Sequence, residues 1–453
     1  MAPARFRGVP SIAYRLALVA AGEAAAGVSL NAPGAVDYAA GHALIRAQGG
    51  VLLNEAGAEI TYDRRGHSSS RACFGGVPEI AASLVSRRWD MAPGSGYGVA
   101  RPDPGYEPMK LRPGRHVHDA GRLRRAQGCL LGQVAGDSLG QRVEFQSASQ
   151  IARAFPDGGP RYLADGGTWD LIAGQPTDDS ELALALARTI VHRGGFDQEA
   201  VAAAYGRWLA SRPFDVGNTT RQALSAVVDD AICSGRATTR ARAAASHDSQ
   251  ANGALMRISP LGISGWRLDP DRLAGMARND ASLTHPHAIC QEASALLAVT
   301  IAAAIRQDLD GDGAYQFALE FERDNPSSPP EILDRLQRAE LGPPAEDEPS
   351  GWVLVALQHA FHQLANGASV EEGILRTVRA GGDTDTNGAI CGALLGAVRG
   401  RDAVPAQWRH MVLSCRPLTG HPGVHNPRPA TYWPTDALTL AEALLLVEVD
   451  DAD

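Results

Sequence analysis

The chain has 453 residues, enough for two or three domains, with 44% hydrophobic and 21% charged content. That balance supplies a large core and excludes a disordered chain. A formal net charge of −9 and a pI near 5.8 exclude general affinity for nucleic-acid phosphates or anionic lipid.

Residues 1–10 carry two arginines and no apolar signal-peptide stretch. The six cysteines are scattered, with no Cys-x-x-Cys, so neither a disulfide framework nor a zinc site is expected, and the cytoplasm is the expected location. Residues 1–90 alternate helical stretches (11–26 and 37–48) with strand-sized runs at 51–54, 60–62 and 71–74, which reads as α/β. Residues 91–118 hold five prolines, at 93, 102, 104, 108 and 113, among glycines, and read as a linker. From residue 119 to 453 the pattern is helical, with clear helices predicted at 180–192, 288–305, 353–364 and 437–447. The longest apolar run, around 293–305, is broken by Ser294 and Thr300, so no membrane span is expected.

Two helical segments carry glycine every fourth residue, at 128, 132, 136 and 140 and at 388, 392, 396 and 400. Such positions stack on one helix face. Each interior glycine costs about 1 kcal/mol against alanine. The stripes therefore predict close approach of another backbone, from a neighbouring helix or a ligand.

Acidic clusters precede two helices. GGDTDTN places Asp383 and Asp385 between Thr384 and Thr386, and PTDDSE places Thr177 beside Asp178 and Asp179. One such residue would be an N-cap. Paired carboxylates with hydroxyls exceed capping needs and suit Mg²⁺, Mn²⁺ or Ca²⁺. GDSLGQRVEF adds Asp137 and Glu144, Asp137 being read as a structural support for Glu144. The run from Asp308 imitates an EF-hand, but its twelfth position is Leu319, so it is read as an interhelical turn.

QPTDDSELALALA, NGALMRISPLG, SLTHPHAICQEA and GGDTDTNGAICGALLGA together resemble the signatures of ADP-ribosylglycohydrolases, over roughly residues 120–450. The resemblance implies an all-helical fold and a binuclear Mg²⁺ centre, with Mn²⁺ as an alternative. It assigns metal binding to Thr177, Asp178, Asp179, Asp383, Asp385 and Thr386, and catalysis to Glu144 with Asp178 and Asp383. It assigns contact with ADP-ribose to Asn252, Gly253, Met256, Arg257, His285 and Trp352, the last standing where the family often has tyrosine. The implied reaction is hydrolysis at C1″ of ADP-ribose, releasing it from a modified protein or small molecule. A non-catalytic ADP-ribose-binding or structural relative on this fold is the alternative; degraded ligands would mark it, and all six are present.

Residues 1–90 resemble instead the C-terminal half of inositol monophosphatase-like proteins, with Val-Asp-Tyr-Ala-Ala-Gly supplying Asp37 where that family has a metal-binding aspartate. The other ligands of that family are missing. The expectation is an inert α/β remnant, a module for a protein partner, or a chain whose start lies upstream. The fold expected overall is mostly α: an all-helical domain at 119–453 preceded by this small α/β segment.

Overall fold

The computed structural model describes residues 11–30, 33–68, 70–87, 109–111, 114–421 and 423–448. Two compact units divide the chain, Met1–Tyr106 and Glu107–Asp453.

The first unit runs α1 (Ile12–Ala20), β1 (Ala26–Ser29), α2 (Ala35–Ala47), β2 (Val51–Asn54), β3 (Cys73–Gly76), α3 (Pro78–Val85). Its three strands form an antiparallel sheet in the order β1-β3-β2, with Ala26 and Val51 both opposite Gly76. The helix expected over 11–26 stops at Ala20, because Gly22 takes φ +72° and turns the chain into β1. The strand expected at 60–62 is reduced to one bridge, Leu53 with Glu59. The run expected at 71–74 becomes β3, shifted two residues towards its glycines. A Cβ on Gly75 would lie 2.4 Å from Leu16, so α1 could not settle on the sheet if that residue were larger. Asp37 is exposed and caps α2, accepting from the Gly34 amide at 2.9 Å.

Of the expected linker, residues 91–108 and 112–113 lie outside the described residues. Its end belongs to the second unit: Met109 and Val117 pack on that unit's core, and their amides donate to Asp436 and Glu442.

The second unit is built of helices: α4 (Ala120–Gly140), α5 (Ala148–Ala154), α6 (Asp178–Arg193), α7 (Gln198–Ala210), α8 (Asn218–Leu224), α9 (Asp229–Cys233) and α10 (Ala237–Ala244). A 3₁₀ turn over Asn252–Arg257 leads to α11 (Ser259–Ser264), α12 (Pro270–Ala281), α13 (Ala288–Gln307), α14 (Gly311–Arg323) and α15 (Pro330–Leu341). The chain closes with α16 (Val353–Ala365), α17 (Val370–Arg379), α18 (Thr384–Arg399), α19 (Ala406–Ser414) and α20 (Ala437–Leu445). The four helices expected in this unit all form, with ends displaced by at most two residues.

The expectation about membrane spans needs correcting. α13 is 20 residues long and contains an 18-residue window of mean hydropathy 1.8, long and apolar enough to cross a membrane, yet 89% of that window is buried inside the unit. Ser294 and Thr300 do not interrupt it, because each hydroxyl donates to the carbonyl four residues back. The EF-hand lookalike is a turn between α13 and α14: Asp308 pairs with Arg125, and Asp310 caps α14 through the Gly313 amide.

The glycine stripes meet each other. A Cβ on Gly132 would lie 2.1 Å from the Gly392 carbonyl oxygen, one on Gly136 2.0 Å from that of Gly388, and one on Gly140 2.2 Å from that of Thr384. Gly128 faces Gly396 in the same way. Contact falling in one sequence while rising in the other makes α4 and α18 antiparallel, packed backbone to backbone. The end of α4 therefore lies beside the start of α18, where the candidate site is built.

Candidate active site

Four segments converge at that end of the helix pair. α4 contributes Asp137, fully buried, whose carboxylate accepts from the Thr177 amide and hydroxyl and from the Ser180 amide at 3.0–3.2 Å. Asp137 thus anchors the start of α6 to α4, rather than supporting Glu144 as expected from sequence. Thr177 stands at the N-cap position but makes no side-chain cap; its hydroxyl instead donates to Asp137 and, at 2.8 Å, to Asp179 Oδ2. Asp383 likewise starts α18 without a side-chain cap. Capping does not account for either cluster.

The Gly-Gly before Asp383 is required by its surroundings. Gly381 and Gly382 take φ +81° and +75°, and a Cβ on Gly381 would lie 2.6 Å from the Gln146 carbonyl. The tight approach lets Phe145 donate its amide to Gly382 and Gly382 donate to Gln146. That pairing carries Glu144 next to the aspartates. One carboxylate oxygen each from Glu144, Asp383 and Asp385 lie within 4.8 Å of one another. Asp178, 8% exposed, accepts from the Gly217 amide at 3.2 Å, and Asp179 and Asp385 are buried.

These acids share a physical problem. Burial is the first cause pushing up the affinity for protons of Asp178, Asp179, Asp383 and Asp385, and repulsion from their neighbours adds to it in Asp178, Asp179 and Asp385. Burial also lifts Glu144 to about 7, against the Trp169 hydrogen bond that lowers it. Two buried acids elsewhere in the unit do have arginines: Glu181 pairs with Arg428 and Asp280 with Arg257. Among the described residues no arginine or lysine pairs with the six metal-ligand candidates or Glu144. Asp179 Oδ1 is buried with no hydrogen-bond partner at all. A buried acid cluster with an orphaned oxygen and no internal counter-charge fits hard divalent cations. Thr177, Asp178 and Asp179 would hold them from α6, and Asp383, Asp385 and Thr386 from α18.

Other expected site residues divide into two groups. Asn252 donates to Asp383 Oδ2 at 2.7 Å, and its amide donates to the Gly351 carbonyl, next to Trp352. Trp352 is half-buried, with its indole N–H on Gln250 and the Arg335 guanidinium 4.7 Å from its ring centroid. Gly253 leaves room for a ring: a Cβ there would lie 2.9 Å from His285.

Arg257, Met256 and His285, expected to face a ligand, lie beneath this loop instead. Arg257 is fully buried, bonded to Asp280, Thr284 and the Gly253 carbonyl, and sits over Tyr205. The Met256 side chain joins the core. His285 is 1% exposed, and burial lowers its pKa to about 3. The Thr284 hydroxyl accepts from Arg257, leaving its proton for His285 Nδ1 at 2.8 Å. The ring is therefore neutral and supports Gly253.

Two site residues escaped sequence reasoning. Asp215, on the loop between α7 and α8, is raised to about 9, first by burial and then by Asp178, Glu144, Asp137 and Asp383. Trp169 donates its indole N–H to Glu144 Oε2 at 2.7 Å. Both stand on irregular Gly/Pro-flanked loops, where no periodicity or repeated motif marks them.

Residues 118–445 match the family described as ADP-ribosylglycohydrolase. The chain belongs to the ADP-ribosylglycohydrolase family. It is 31% identical over 295 residues to an ADP-ribosyl-[dinitrogen reductase] glycohydrolase of Rhodospirillum rubrum, covering 65% of this chain and 90% of the relative. An ADP-ribosylarginine hydrolase of Pseudomonas putida is 28% identical, covering 63% and 73% respectively. An ADP-ribosylglycohydrolase-related protein of known structure superimposes with a TM-score of 0.56 at 28% identity, covering 72% of this chain and 99% of that one. The chain is thus a hydrolase of the ADP-ribosylglycohydrolase family, and the family match leaves the first unit outside it.

Proposed function

We propose that the second unit hydrolyses the N- or O-glycosidic bond at C1″ of ADP-ribose, releasing ADP-ribose from a modified protein or small molecule with the help of two Mg²⁺ ions. The reading is carried by the acid cluster of Glu144, Asp383 and Asp385, which no arginine or lysine among the described residues neutralises, together with the orphaned Oδ1 of Asp179 in the Thr177-Asp178-Asp179 turn. When bound, Mg²⁺ (or Mn²⁺) supplies charge that grips ribose hydroxyls and acidifies a water.

The protein's own residues would supply the rest. Glycoside cleavage passes through an oxocarbenium-like state and needs a fixed ribose, a positioned water and a proton for the leaving group. Glu144 and Asp215 are acids close to the metal-ligand turns yet outside them. We assign proton handling to them, Glu144 at the water and Asp215 at the leaving group. Asn252, Gly253 and Trp352 are assigned to the ADP-ribose side, with Arg257 and His285 holding their loop in shape. The first unit is read as an inositol monophosphatase-like module; its Asp37, spent on capping α2, supports a non-catalytic role.

The test is release of free ADP-ribose from an ADP-ribosylated protein, with and without EDTA. Release that stops in EDTA and returns with Mg²⁺ is expected. No release, or release indifferent to EDTA, would overturn the reading.

A further inference from the structure

Trp169 lies where two loops and two acids meet. Its indole N–H donates to Glu144 Oε2 at 2.7 Å, while the neighbouring Thr168 hydroxyl donates to the Glu144 carbonyl at 3.1 Å. Consecutive residues thus grip Glu144 by side chain and by backbone. The Trp169 ring packs on Phe214 with centroids 6.0 Å apart, immediately before Asp215. Its carbonyl accepts from Asn426 Nδ2 at 2.7 Å, and the Asn426 carbonyl accepts from Gln175 at 2.7 Å. Trp169 is therefore held at ring and backbone independently of its bond to Glu144.

Glu144 needs such a hold. Asp383 and Asp178 repel its carboxylate, and the following residue, Phe145, has φ +65°, a conformation that L side chains rarely adopt. A glutamate side chain has three rotatable bonds and loses much freedom when fixed. Inside the cluster Glu144 also bonds Asp385, and the indole N–H adds a neutral donor that opposes the repulsion. A tryptophan offers one N–H on a rigid plane, so it can aim the carboxylate without bringing a charge into the site.

We infer that Trp169 is a positioning residue of the hydrolase, whose indole N–H holds Glu144 Oε2 so that the carboxylate stays among Asp383 and Asp385. Trp169 does not itself enter the reaction. This inference rests on the hydrolase reading above, and wild-type turnover in the same assay reports on that reading by itself.

The test is a double-mutant cycle with kcat and KM measured separately. Trp169→Phe keeps an aromatic ring against Phe214 and removes the N–H. It should lower kcat about 10- to 100-fold, the worth of a hydrogen bond to a charged group, with KM little changed. In a Glu144→Gln background the same change should cost nothing further. A loss under threefold in the wild-type background, or losses that multiply in the double variant, would overturn the inference. A measurement on the resting, full-length wild-type protein guards against misfolding of Trp169→Phe. The ¹⁵N-labelled Trp169 indole proton should resonate downfield and exchange slowly, and lose both properties in Glu144→Ala. An indole signal indifferent to Glu144→Ala would also overturn it.

Discussion

Gly132→Ala and Gly275→Ala are the same chemical change on two helices, and the structure gives them opposite signs. At Gly275, inside α12, an added Cβ meets nothing within 4 Å. Alanine there should stabilise by up to about 1 kcal/mol through helix propensity. At Gly132 the Cβ would sit 2.1 Å from the Gly392 carbonyl oxygen and 2.9 Å from its carbon. An uncrowded carbon–oxygen contact needs about 3.3 Å, so α4 and α18 must part by about 1 Å. Neither side of the contact is a side chain that can rotate away. Overpacking of this kind costs about 1–3 kcal/mol; set against the propensity gain, the net loss should reach about 2 kcal/mol. Parting the helices also moves Glu144 from Asp383 and Asp385, and misplacement by about 1 Å can cost 10²-fold in rate. The assay is urea unfolding followed by tryptophan fluorescence. Six of the seven tryptophans, all but Trp89, belong to the second unit, so the signal reports on it. Midpoints that move in the same direction for both variants would refute the backbone-to-backbone seam.

Asp385→Ala should abolish Mg²⁺-dependent thermal stabilisation, which in the wild type should grow with Mg²⁺ as RT ln(1 + [L]/Kd); an unchanged shift would remove Asp385 from the ligand set. Glu144→Gln should lower turnover about 10²- to 10⁴-fold with ADP-ribose affinity little altered, and a fall under threefold would take Glu144 off the catalytic list. In EDTA, stability should fall as pH rises from 7 to 9. Asp215, held near 9, and Glu144, near 7, keep protons in the folded state that the unfolded chain has already lost, a slope of up to about 1.4 kcal/mol per pH unit for each retained proton. His285 and His359, lowered to about 3 and 4, are neutral in the folded state, and the charge histidines keep in the unfolded chain at pH 7 opposes the trend by only about 0.2 kcal/mol each. Denaturation midpoints at pH 7, 8 and 9 with and without Mg²⁺ check it; stability rising with pH in EDTA would contradict the unpaired acid cluster.

Local pattern alone determined the helical class of the second unit, the glycine stripes and the two acid-hydroxyl turns, because each is written in consecutive residues with helical or motif spacing. Periodicity found α6, α13, α16 and α20 for the same reason: an amphipathic or buried helix repeats its burial every three to four residues. The run at 60–62 does not become a strand, because a short apolar run does not say whether a partner strand will pair with it. Arg257 and His285 sit in the right motif, yet only packing decided that Asp280, Thr284 and Gly253 consume their polar atoms. Sequence likewise left open whether the glycines approach a ligand or a helix; the antiparallel contact of α4 with α18 decided it. Asp215 and Trp169 became legible only in three dimensions. Their loops carry no repeat, and what singles them out is proximity to charges and donors dozens of residues away. A lone Asp or Trp has no chemistry in sequence; burial beside Glu144 and Asp178 is what gives these two a role.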